Sequence, residues 1–165
     1  MYDNQVETLV SHLKFKIFLP IIRSIGFLFK NINKFKSGNF IYECNKYTDS
    51  ITRFLMFFKL YETKELRFFK NLNKNESTIE GGGGIGLTSL YIKKQIGNKA
   101  KLIILEPNSF NHSTIRKNFI LNNFKLHNTK IYKNPLSYKS KKKVYFKEFE
   151  SNFANSISND SLDFK

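Results

Sequence analysis

The sequence predicts an α/β fold, part of a Rossmann-like parallel sheet preceded by a helical N-terminal segment. Three observations carry this. Ile79-Glu80-Gly81-Gly82-Gly83-Gly84-Ile85-Gly86-Leu87 sets a glycine turn between a short apolar approach and an amphipathic helix. Lys101-Leu102-Ile103-Ile104-Leu105 is a continuous apolar run of the kind buried on both faces of a parallel sheet. Around these two stretches, strand and helix patterns alternate.

The elements follow in order. Residues 1–35 read as helical: Val6, Leu9, Val10, Leu13 and Ile17 recur at three- and four-residue steps, and Pro20 forces a kink or break. Residues 33–39, ending in Ser37-Gly38-Asn39, read as a loop, and Phe40-Ile41-Tyr42 as a short strand or extended segment. Residues 51–60 form a helix that is hydrophobic nearly all round, which calls for burial between layers. Tyr61 to Asn71 is a further helix, with Thr63 as a cap and Glu62 and Glu65 complementing the helix dipole.

Ser77-Thr78-Ile79 is the strand feeding the turn. Leu87 to Ile96 is the helix after it, stopped by Gly97-Asn98. Residues 101–105 form the next strand, ended by Pro107, which cannot donate to a ladder. A helix to Asn122, a strand over 129–133, a basic loop over 137–143 and a strand over 144–149 follow. The Ser/Asn-rich tail from Glu150 has weak periodicity and is expected to be loosely ordered. Two regions result: 1–60, a helical N-terminal segment, and 61–165, the front part of a Rossmann-like domain.

Composition narrows the function classes. The 165 residues suit one domain of ordinary size. Net charge is +15, from 28 basic and 13 acidic side chains. That charge admits a nucleic-acid partner, but the lysines are scattered rather than gathered on one face, and Lys, Asn, Ile and Phe are abundant together, as A/T-rich codons produce. A nucleic-acid partner is therefore not favoured. The single cysteine, Cys44, excludes an internal disulfide and a cysteine-based zinc site. Residues 1–10 have no signal-peptide core, and residues 15–29 are broken by Lys16, Pro20 and Arg23, so no transmembrane segment is expected and a cytoplasmic setting is.

The chemistry lies on the turn. Gly81, Gly83 and Gly86 satisfy G-x-G-x-x-G, a match that four consecutive glycines make almost automatic. Glu80, Gly82 and Gly86 satisfy the more demanding acidic-x-G-x-x-x-G. A carboxylate at that strand end repels a pyrophosphate and suits a cationic ligand, which favours S-adenosylmethionine over a dinucleotide. Glu106, about twenty residues past Gly86, closes the next strand where an acid can accept hydrogen bonds from ribose hydroxyls. None of the histidines His12, His112 and His127 is assigned as a catalytic base, and no metal constellation is present in the sequence.

Tyr61-Glu62, Leu66-Arg67-Phe68-Phe69, the stretch from Ser77 to Leu87, Leu105-Glu106-Pro107-Asn108 and Asn134-Pro135-Leu136-Ser137 together resemble the FkbM-type S-adenosylmethionine-dependent methyltransferases. That family has a Y-E-x-x-x helix, a D-x-G-A-N-I-G turn and an E-P-N strand end. The resemblance runs from about Tyr61 to Lys147 and implies methyl transfer to a hydroxyl of a glycan or small metabolite. It implies a cofactor site at Glu80, Gly82, Gly84, Gly86 and Glu106. Glu80 stands where the family has Asp, and Gly83-Gly84 replaces Ala-Asn. The family's later I-K-I-D-x-E-G-type strand has no counterpart before Lys165, so the chain reads as a front part. Competing readings are a nicotinamide-dependent oxidoreductase, a basic RNA-binding or RNA-methylating module, and an inactive fragment. The oligomeric state is open.

Overall fold

A computed structural model describes residues 24–135 and the backbone of two further strands, Tyr145–Lys147 and Ser156–Ser158. The strands are β1 (Lys34–Ser37), β2 (Phe40–Glu43), β3 (Thr78–Gly81), β4 (Leu102–Leu105), β5 (Thr129–Tyr132), β6 (Tyr145–Lys147) and β7 (Ser156–Ser158). The α-helices are α1 (Ser50–Phe57), α2 (Thr63–Phe68), α3 (Leu87–Ile96) and α4 (Ser109–Leu121). Short 3-10 turns cover Phe27–Phe29 and Phe69–Asn71.

The centre is a three-stranded parallel sheet in the order β3-β4-β5, with α3 and α4 as its crossovers. Register decides which face is buried. Glu80, Ile104 and Ile131 lie in line, as do Thr78, Leu102 and Thr129. Leu102 and Ile104 join Leu90, Ile92 and Ile96 of α3 and Ile115 and Phe119 of α4 in one core, so both helices cover this face. The alternate residues line the opposite face, where Ile79 is 64% and Tyr132 42% exposed.

Caps set the helix limits. Asp49 Oδ1 accepts the Thr52 N–H at 2.9 Å and starts α1. Asn108 Oδ1 accepts the Phe110 N–H at 3.0 Å and starts α4. Gly97, at φ +82°, stops α3 as its sequence predicts. α2 departs from expectation: its N-cap is Glu62, in the left-handed region at φ 50°, and no side chain caps it. α3 is less amphipathic than its sequence, because Lys93 is fully buried and its Nζ donates to the Ala100 carbonyl at 2.8 Å.

The N-terminal region is not wholly helical. Residues 34–37, expected as a loop, pair antiparallel with β2 across the turn at Gly38-Asn39. Alternation of Phe35 and Ser37 inward with Lys34 and Lys36 outward carries this strand, but four residues are too few for the period to stand out. Asn118 of α4 and its C-cap Asn122 cover the free edge of β2. Asn118 Oδ1 accepts the Glu43 N–H at 2.7 Å, and its Nδ2 donates to the Glu43 and Ile85 carbonyls at 3.0 and 2.8 Å. Asn122 brackets the N–H and carbonyl of Ile41 in the same way. Buried Arg53 ties α1 to the loops on either side of the hairpin, donating to the carbonyls of Ile32, Asn45 and Thr48 and to Asn33 Oδ1.

At the C-terminal end, β6 falls inside the strand expected over 144–149 and pairs antiparallel with β7, which lies in the tail expected to be loosely ordered. The helical pattern of residues 1–23, with Pro20, and the basic loop at 137–143 lie outside the described residues. Among the described residues no helix is long and apolar enough to cross a membrane.

Candidate functional site

The glycine turn leaves the carboxyl end of β3, where the first crossover of the sheet begins. Gly82, Gly84 and Gly86 have φ of +80°, +52° and +92°, the left-handed region that glycine enters without strain. Gly83 is required for another reason: a Cβ there would stand 2.4 Å from Ile104 Cγ2. Gly86 lies against α4, with its would-be Cβ 3.4 Å from the Ile115 backbone. At Gly82 and Gly84 a Cβ would meet nothing within 4 Å, so the turn presents bare backbone to open space.

That space is a cavity of about 230 Å³. Gly82, Gly83 and Gly84 form its floor, Glu106 and Pro107 one wall, and Tyr61 and Glu62 another. Thr52 and Met56 of α1 and Asn111 of α4 also line it. The Glu106 carboxylate grips the turn: Oε2 accepts the Gly84 N–H at 2.7 Å, and Oε1 accepts the Asn108 N–H at 2.8 Å. Asn111 also donates to it, and Asn111 Oδ1 is held in turn by Asn45 Nδ2 at 2.9 Å. Burial pushes Glu106 above the usual carboxylate range, opposed by these donors and by nearby His112. The His112 Nε2 lies 2.6 Å from the Glu106 carbonyl oxygen, and His112 does not line the cavity.

Glu80 is placed differently. Its carboxylate turns under the turn toward α3, where the Thr88 hydroxyl donates to one oxygen and the Ser89 hydroxyl donates to the other at 2.5 Å. Burial pushes it up to about 7 against these two hydrogen bonds, and Glu106 raises it further. Glu80 lines a second groove of about 280 Å³ along the outer side of β3, with Phe68, Phe69, Leu72 and Ile79. Of the five residues expected at a cofactor site, the structure brings Gly82, Gly84 and Glu106 to one cavity. Gly86 and Glu80 serve the turn and the start of α3 from outside it.

Sequence reasoning missed Glu62 as a cavity residue. It sits between the cavity and the groove and lines both. The Tyr61 hydroxyl donates to it. Burial pushes Glu62 up to about 7, with Glu80 and Glu65 adding repulsion. The adjacent Tyr61-Glu62 pair was the available signal, but a left-handed N-cap without a side-chain cap is invisible in residue types. Thr88 and Ser89, which hold Glu80, were signalled only as two polar residues in an otherwise apolar first turn.

The arrangement offers backbone N–H and carbonyl groups, two cavity-lining carboxylates and an apolar rim from Met56, Ile85 and Leu87. No group of three or more metal-ligating side chains is present among the described residues. Comparison of the chain with protein-family models, with curated proteins and with solved structures finds no match.

Proposed function

We propose that this chain carries the donor site of an S-adenosylmethionine-dependent methyltransferase of Rossmann-like class I architecture, acting on a hydroxyl of a small molecule or glycan. The observation that carries the reading is the pairing of Glu106 with the side-chain-free turn Gly82–Gly84 across one cavity at the carboxyl end of parallel strands. Ligands of open parallel sheets sit in that position. Gly84, Asn108 and Asn111 take three of the roughly four lone-pair positions of the Glu106 carboxylate, so one is left to accept a ribose hydroxyl while Gly84 is still held.

The residues fit such a group by charge. Glu62 and Glu106 both face the cavity, an arrangement that repels a diphosphate and complements a cation. When bound, S-adenosylmethionine would supply a methyl group activated by its sulfonium sulfur, with Glu106 holding the ribose and the Gly82–Gly84 backbone lying against it. The chain's contribution is positioning. Glu106 orients, the bare glycine backbone permits close approach, and Met56 and Leu87 keep water from one side.

The test is calorimetric titration of the chain with S-adenosylmethionine, S-adenosylhomocysteine and NAD, and of a Glu106→Ala variant. The reading predicts binding of the first two and a loss of roughly tenfold to hundredfold in the variant. Binding of NAD alone contradicts it.

A further inference from the structure

We infer that Glu62 is the residue that recognises the positive charge of the donor, and that binding is coupled to its ionisation; this rests on the methyltransferase reading above. Four observations bear on it. Glu62 occupies the N-cap of α2 yet caps nothing, so its carboxylate is not spent on the helix. Its backbone is held at φ 50°, a conformation that is unfavourable for a non-glycine residue and persists only where the surroundings impose it. The side chain faces the cavity opposite the glycine turn. Glu80, which the sequence offered for the same task, is turned toward the Thr88 and Ser89 hydroxyls and does not line that cavity.

Two acidic side chains act on Glu62. Glu65 of α2 and Glu80 of β3 raise its affinity for a proton, and Tyr61 beside it donates to its ionised form. Tyr42 of β2 is pushed up in part by the Glu62 charge. A carboxylate so placed is partly protonated near neutral pH, and a cation in the cavity supplies the missing counter-charge and drives the proton off. The sulfonium or the ammonium of the donor provides that charge.

The experiment is isothermal titration with S-adenosylmethionine at pH 7, in buffers of differing ionisation enthalpy, on the full chain and on the Glu62→Gln and Glu65→Gln variants. The wild type is expected to release part of a proton per ligand bound, because a carboxylate raised to about 7 is partly protonated at that pH. Glu62→Gln keeps the side-chain shape; it should bind roughly tenfold or more weakly and release markedly less proton. Glu65→Gln, exposed and outside the cavity, should bind within about threefold of wild type. Wild-type affinity and proton release in Glu62→Gln, with the wild type binding normally, overturns this inference alone. A wild type that binds no S-adenosylmethionine overturns the methyltransferase reading and this inference with it.

Discussion

The four glycines of the turn do different work, and single substitutions separate them. Gly83→Ala forces Ile104 Cγ2 away from a position 2.4 Å from the new methyl and should cost about 1–3 kcal/mol in urea unfolding. Gly84→Asn enters open space in the left-handed region that asparagine tolerates, and should cost under about 1 kcal/mol. In the methyltransferase family proposed for the chain these two positions carry Ala-Asn, and only the second has room here as it stands. The acids make a prediction in pH. Glu62 and Glu80 are raised to about 7 in the folded chain, above their unfolded values near 4.3. The folded state therefore binds more protons, and the stability this gives is complete below about pH 4.3 and is lost as pH rises through 7. Glu80→Gln should flatten that decline, measured as unfolding midpoints between pH 5 and 8. Residue types alone could place Glu80 and Glu106 at strand ends. They could not say which carboxylate turns inward, because that depends on the Thr88 and Ser89 hydroxyls and on the φ of Glu62.

At the scale of elements, Asn118 of α4 and its C-cap Asn122 join the hairpin to the central sheet. Asn118 is fully buried and satisfies three backbone groups, so Asn118→Ala should cost about 2–4 kcal/mol. Asn122→Ala, whose partners on Ile41 lie at the surface, should cost under about 1 kcal/mol, since water replaces the lost bonds. Chemical denaturation of the two variants side by side checks the contrast. The central elements were legible because their signals are strong: the apolar run at 102–105, the glycine turn, and the Gly97 stop. The hairpin was not, since β1 spans four residues and its edge partner is a pair of helical side chains about eighty residues away.

At the scale of the molecule, among the described residues the central sheet is covered by helices on one face and exposed on the other. Among the described residues β3 pairs only with β4, and Ile79 stands 64% exposed beside the groove of Phe68, Phe69 and Leu72. Such an edge is a template for association. Ile79→Lys should leave stability within about 0.5 kcal/mol and lower the concentration dependence of molar mass in light scattering. The mixed α/β layout, with parallel strands alternating with helices, was readable from pattern, because it follows from local periodicity and turn chemistry. The division of labour among Glu62, Glu80 and Glu106 was not, because it is made by segments far apart in sequence meeting at one turn. The proposed donor site, with Glu62 and Glu106 on its cavity, is probed by the heat of S-adenosylmethionine binding to the wild type and to Glu106→Ala. Saturable binding to the wild type, weakened roughly tenfold to hundredfold in the variant, is the predicted result. Equal affinity in the two proteins, or binding of NAD in place of S-adenosylmethionine, would contradict it.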